Sequence, residues 1–339
     1  MSAELKLDLD EAIDAFATVA KNKPNSNDSI AESTVYSYRR NIRFFIEYLR
    51  EEQNKGILDA ETSDLRKYLT ECSENGDKDK TIVTRRSAIS RFYAELPTLA
   101  EDDYIPIPPS ECPKNPEDGY DGTWRVKSSH KADESAEDVQ YLSPAEIKKL
   151  WTNVPAPTLR NRLMIRLCYQ TGCRAGELTK LKVSHIDRDD RTIRIPTSIS
   201  KSDARKVVYK PSLDSLLQRW LDGGYRDAVP RDSPFLFPTS RGDHISKGRL
   251  RDIVHEAANE ADLNEEIYTD TIGKTRTKVS PHILRHSFAV NTLKHNVLNV
   301  RELQEILGHT SLETTEIYLE AASDDAKDRY RQNGGVPEA

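Results

Sequence analysis

Apolar residues recur three and four positions apart along most of this chain, and in one place that spacing gives way to alternation. Over residues 34–53, Val35, Tyr38, Ile42, Phe45, Ile46 and Leu49 fall on one helical face. A shorter run over 63–72 groups Leu65, Tyr68, Leu69 and Cys72, and residues 81–96 do the same with Ile82, Ala88, Ile89, Phe92 and Leu96. At Ser143-Pro144-Ala145-Glu146 a helix start is written out: a capping serine, proline at the first helical position and glutamate three residues after the cap. Ile147, Leu150 and Trp151 continue its apolar face, and a further helix follows through Leu163, Ile165, Leu167 and Cys168. Between 191 and 210 the period becomes two. Thr192-Ile193-Arg194-Ile195, a polar stretch and Val207-Val208-Tyr209 predict a hairpin with Ser202-Asp203-Ala204 near its tip. Helical spacing resumes over 213–221, 247–261, 281–294, 300–307 and 311–322. The pattern predicts a mainly α protein with a small β-hairpin or sheet. An N-terminal helical domain spans 1–97, a mixed α/β domain spans 141–325, and a tail covers 326–339.

The segment between those domains stands out by composition. Residues 97–140 hold eleven Asp or Glu against four Lys or Arg, with six of the seventeen prolines and few branched aliphatics. Such a stretch buries too little surface to fold alone. Residues 98–140 are therefore expected to be an acidic linker, with local order around Tyr104, Tyr120 and Trp124. This changes the meaning of the net charge of −6, because the rest of the 339-residue chain carries about +1. The folded parts need not repel a polyanion, and local basic faces decide affinity for one. A mean hydropathy of −0.71 and the absence of any apolar run of membrane-spanning length argue against a bilayer setting. The acidic N-terminus does not read as a secretory signal, and the four cysteines form no CxxC pair. A reduced cytoplasmic location is expected, with Cys168 and Cys173 as core residues.

Four stretches of the second domain concentrate polar groups that a core would not hold without reason. Thr171-Gly172-Cys173-Arg174-Ala175-Gly176-Glu177 joins two helices, and Arg174 and Glu177 on their own read as an ion pair at helical spacing. Lys201 stands at the hairpin tip, where a lone lysine is usually just solvated. Ser280-Pro281-His282-Ile283-Leu284-Arg285 opens a helix with His282 and Arg285 on one face near its N-terminus, where an anion is favoured. Leu307-Gly308-His309 ends another helix, and Tyr318 follows inside the next, preceded by Thr315. In the first domain Lys80, Arg85, Arg86 and Arg91 rim one helix, and a solvated face is their plainer reading.

In this order the motifs resemble those of the tyrosine recombinase (phage integrase) family, over residues 141–322, and the first domain is similar to that family's core-binding domain. The resemblance implies DNA cleavage and rejoining through a 3′-phosphotyrosyl bond at Tyr318. Arg174 and Arg285 would hold the non-bridging phosphate oxygens, His282 would assist proton transfer from the tyrosine, and Lys201 on a mobile hairpin would protonate the leaving 5′-oxygen. His309 would support the phosphate, Glu177 would brace the site, and Lys80, Arg85, Arg86 and Arg91 would bind DNA. A tyrosine hydroxyl of ordinary pKa near 10 needs such a base or a strongly positive setting. The resemblance further implies double-stranded DNA as partner, a homotetramer on paired recombination sites, an accessory DNA-bending protein, and no metal, nucleotide or membrane. The tail from Ser323 to Ala339 is a candidate for exchange between protomers, because its Arg329, Tyr330 and Arg331 are poorly suited to a lone disordered end. A type IB topoisomerase and a DNA-binding regulator without catalysis are the rival readings, the second disfavoured because all six reactive positions are filled.

Overall fold

Four helices take up the apolar stripes of the first third of the chain. In the computed structural model, which describes residues 9–22, 32–119, 139–229, 232–269, 275–277, 279–309, 311–312 and 315–322, these are α1 (Leu9–Asn22), α2 (Glu32–Glu52), α3 (Thr62–Glu74) and α4 (Asp79–Glu101). Their inward faces meet in one apolar cluster that includes Phe16, Phe45, Leu49, Leu69, Ile89 and Phe92. Phe16 meets Phe92 edge-on at 5.7 Å, and the buried Tyr93 hydroxyl donates to the Ile57 carbonyl at 2.8 Å, so its polar end is satisfied.

α4 does not stop where the composition changes. Pro97 lies inside it, and the helix continues to Glu101. A proline there costs about 3 kcal/mol, but Leu96, Leu99 and Ala100 are buried around it, and a fully buried leucine returns roughly 1.5–3 kcal/mol. Ile105 and Ile107 then fold back into the same cluster, Asn115 donates to the Ser90 carbonyl at 3.0 Å, and Glu117 pairs with Arg86. Residues 98–119 thus pack with the first unit, and the linker expected from 98 does not begin there. Two isoleucines among prolines suffice to anchor a segment whose composition reads as unstructured. Tyr104 is exposed within it, while Tyr120, Trp124 and the rest of 120–138 lie outside the described residues.

The first helix of the second unit starts from Ser143, whose side chain and that of Glu146 reciprocally cap α5 (Pro144–Thr152). Next come α6 (Thr158–Thr171), α7 (Ala175–Thr179) and an antiparallel sheet of β1 (Ile186–Asp187), β2 (Thr192–Ile195) and β3 (Arg205–Val208) in that order. The register places Ile193 opposite Val207, Arg194 opposite Lys206 and Ile195 opposite Arg205. α8 (Asp214–Leu221), α9 (Lys247–Glu260), a two-stranded ribbon of β4 (Glu266–Thr269) and β5 (Thr275–Thr277), α10 (Pro281–Lys294) and α11 (Val300–Leu307) follow. Residues 315–322 are helical; the helix expected from 311 is described only from 315. The mainly helical fold with a small antiparallel sheet is therefore as expected.

α6 runs through the middle of this unit, with Leu163, Met164, Ile165, Leu167 and Cys168 fully buried and α10 packed along it. A second apolar cluster joins α10, α11 and the 315–322 helix through Phe288, Val290, Leu303, Leu307 and Ala321. Gly172 ends α6 at φ +60, and a Cβ there would meet Phe288 and Leu307 at 2.6–2.9 Å, so only glycine fits. The tail with Arg329, Tyr330 and Arg331 lies outside the described residues. No described helix is long and apolar enough to cross a membrane.

Candidate active site

The turn after Gly172 delivers Arg174 to the N-terminus of α7. Its backbone N–H donates to Glu177 Oε2 at 2.7 Å, its Nη1 to Glu177 Oε1 at 3.2 Å, and its Nη2 to the Gly308 carbonyl at 3.3 Å. Glu177 is 1% exposed and does more than brace Arg174. Arg205, from the first position of β3, grips the same carboxylate with Nη1 at 2.9 Å and Nη2 at 2.7 Å while its Nε donates to the Ile306 carbonyl at 2.8 Å. Burial alone would raise the Glu177 pKa; hydrogen bonds and charge from Arg205 and Arg174 outweigh it and hold the group below the usual carboxylate range.

Arg285 projects from the first turns of α10 and is 3% exposed. Its guanidinium is spent on acceptors without formal charge: Nη1 donates to the Gly172 carbonyl at 2.7 Å, and Nη2 to the Leu307 carbonyl at 2.9 Å and to His309 Nε2 at 2.8 Å. Burial, then the neighbouring Arg174, pushes its pKa down to about 10. Because arginine only donates, His309 Nε2 accepts, and its Nδ1 carries the proton toward Thr315 Oγ1 at 2.9 Å. His309 is held neutral, its pKa lowered to about 4 by burial and then by Arg285, Arg174 and Arg205. Thr315, fully buried, so ties the Leu-Gly-His turn to the helix of Tyr318.

Tyr318 is 4% exposed and sits in a row of rings. His309 stacks on it at 6.2 Å, His286 meets it edge-on at 5.4 Å, and the His282 ring lies 5.7 Å from that of His286. His282 is exposed, whereas His286 is mostly buried with its Nδ1 unpartnered and its pKa lowered to about 4 by burial, then His282 and Arg285. Lys201 is exposed at the hairpin tip. The structure therefore brings Arg174, Glu177, Arg285, His309 and Tyr318 together and adds two residues that sequence reasoning missed. His286 had a signal in its four-residue spacing from His282. Arg205 had one too: it occupies an inward register of β3, where alternation calls for an aliphatic side chain.

The four cations of the first unit are a different matter. Arg85 is largely buried, paired with Asp77 at 2.7 Å and bonded to the Tyr68 hydroxyl at 3.0 Å, which makes it a brace between α3 and α4. Arg86 pairs with Glu117 and Arg91 with Glu95, and Lys80 is exposed.

A model of the phage integrase family matches residues 140–324, and a model of the phage integrase N-terminal SAM-like domain matches residues 25–98. Tyrosine recombinase XerC of Anoxybacillus flavithermus is 27% identical over 300 residues, covering 87% of this chain and 89% of its own. XerC of Erythrobacter litoralis is 33% identical over 240 residues, covering 70% and 67%. Among solved structures, the XerH site-specific recombinase bound to difH substrate shares the fold over 97% of this chain and 96% of its own, with a TM-score of 0.64 at 19% identity. The chain belongs to the phage integrase family, that of the tyrosine recombinases.

Proposed function

We propose that this protein is a site-specific DNA recombinase that cleaves and rejoins strands through a 3′-phosphotyrosyl intermediate at Tyr318. One observation carries the reading: Arg174 and Arg205 divide a single carboxylate, Glu177, and Arg285 has only neutral acceptors, beside a tyrosine flanked by two histidine rings. Surplus buried positive charge of this kind suits a group that brings its own negative charge, and a phosphodiester does.

The Tyr318 oxygen attacks phosphorus, the bond from phosphorus to the 5′-oxygen breaks, and that oxygen leaves with the bonding pair. The phenolic proton passes to His282, and Lys201 supplies a proton to the departing oxygen. Arg174 and Arg285 hold the non-bridging oxygens through forked donors that lysine lacks. His309 supports the phosphate once its Nε2 releases Arg285 and takes up a proton, with the Thr315 hydroxyl then donating to Nδ1. The ester to tyrosine retains the bond energy, so a 5′-hydroxyl on another strand can reverse the step without a nucleotide, and the arginines supply the charge a metal would. Double-stranded DNA is the substrate. A homotetramer on paired sites, with an accessory DNA-bending protein, would place the exchanging strands side by side; Lys80 would contact the backbone, joined by Arg86 and Arg91 where a phosphate displaces Glu117 and Glu95.

Fragmented genomic DNA from the source organism, incubated with the protein and trapped by denaturation, should yield covalent adducts whose sequence reveals the site. The adduct should vanish in Tyr318→Phe, and one that persists would overturn the assignment. Relaxation of supercoiled plasmid by dilute monomer, without site preference, would move the reading to a type IB topoisomerase.

A further inference from the structure

The hairpin that carries Lys201 is tied down on both sides of that residue. Ser200 donates its hydroxyl to Glu177 Oε1 at 3.3 Å and accepts from Arg205 Nη1 at 3.4 Å. The same oxygen accepts the Ser202 backbone N–H at 3.1 Å and lies 3.2 Å from the Ser202 hydroxyl. Ser202 and Arg205 in turn crowd Gly308: a Cβ there would stand 2.9 Å from Ser202 Oγ and 3.0 Å from Arg205 Cδ. Gly308, at φ +65, is also the residue whose carbonyl receives Arg174. One guanidinium thus joins the carboxylate beside Arg174, the serine beside Lys201 and the end of α11.

We infer that Arg205 is a positioning residue for Lys201: through Glu177 and Ser200 it fixes the hairpin tip relative to Arg174 before DNA arrives. A fork at this point does what a single charge does not. Arg205 uses Nη1 and Nη2 on Glu177 and still has Nε for the Ile306 carbonyl, whereas a lysine could keep the charge but not the three directions. Alternation on β3 explains how it arrives there, since Arg205 and Val207 face inward while Lys206 and Val208 face outward. Glu177 is then shared: the carboxylate that orients a phosphate-binding arginine also sets the height of the lysine that protonates the leaving oxygen. The inference rests on the proposed role of Lys201 as proton donor.

Two measurements test it. The first uses the site recovered by covalent capture, with single-turnover cleavage of an ordinary strand and of one with sulfur at the bridging 5′ position. A sulfur leaving group departs with its electron pair as thiolate and needs no proton. Lys201→Ala should lose roughly 10²–10⁴-fold on the oxygen substrate, and Arg205→Lys about 10²-fold. Both should recover to within about tenfold of the wild-type rate on the sulfur substrate. Rescue of Lys201→Ala without rescue of Arg205→Lys overturns the inference alone. Failure of both rescues removes the donor role of Lys201 and the inference with it. The second measurement needs no DNA. In hydrogen exchange, the Ser202 amide should be protected in the wild-type protein and exchange at least about tenfold faster in Ser200→Ala, which leaves no buried charge unpaired. A Ser202 amide that already exchanges at the rate of an open loop shows that no clamp exists and overturns the inference.

Discussion

The helical unit and the candidate site of the second unit treat arginine in opposite ways. In the helical unit each of Arg85, Arg86 and Arg91 has a carboxylate of its own, in Asp77, Glu117 and Glu95. In the second unit Arg174 and Arg205 divide one carboxylate, and Arg285 rests on two carbonyls and a neutral imidazole. A paired cation contributes to the fold and has little charge left over for a ligand. A buried cation without a paired anion costs stability in the free protein, and that cost is recovered when a phosphate arrives. Total charge would miss the distinction altogether.

The largest effect should come from Arg285→Met. Cleavage should fall by about 10³-fold or more, as when a donor aimed at developing phosphate charge is removed. The melting temperature should hardly move. The pKa near 10 means that burying the charge costs about 3 kcal/mol at neutral pH, and three hydrogen bonds worth about 1 kcal/mol each offset it. Single-turnover kinetics and thermal unfolding on the same preparation check both halves, and a large fall in stability would show that Arg285 is a structural brace like Arg85.

Arg85→Ala is the mirror experiment. It leaves Asp77, whose side chain is 9% exposed, buried without its cation and should cost about 3 kcal/mol of the helical unit's stability by urea unfolding. An effect below about 1 kcal/mol would mean that the pair is solvated.

A smaller effect should follow pH. His286 and His309 have folded pKa values of about 4, below the ordinary 6.5, so the unfolded chain binds more protons between those values. The stability that comes from keeping them neutral is complete above about pH 6.5 and is lost as pH falls toward 4. Denaturant midpoints at pH 7 and pH 5 should differ in that direction, and His286→Phe should flatten the slope. The smallest effect is expected from Lys80→Ala: weaker DNA binding, a log–log salt slope reduced by about 1, and no change in melting temperature.

Much of this was legible because periodicity and caps are local. The helices, the hairpin and the Ser143 cap follow from residues within a few positions of one another. The placement of Tyr318 by its motif neighbours also acquired a physical reason, since the Thr315 hydroxyl is hydrogen-bonded to His309 Nδ1. What could not be read depends on partners far along the chain. Alternation marks Arg205 as inward, but what it does there cannot be read until Glu177 and Ile306 are brought to it. Arg285 was expected to face an anion across the helix N-terminus, yet its guanidinium turns inward to carbonyls from two other segments. Composition misplaced the boundary near residue 98 because burial is decided by individual side chains such as Ile105 and Ile107, not by averages.

The contacts of Arg285 with Gly172 and of Arg174 with Gly308 join points more than a hundred residues apart. During synthesis, then, a growing chain holds the first arginine long before it holds the turn and the tyrosine that complete the site. An enzyme that cuts DNA is thereby inert on the ribosome: until the segment bearing Tyr318 emerges and docks on α10 and α11, no nascent fragment carries the chemistry to cut.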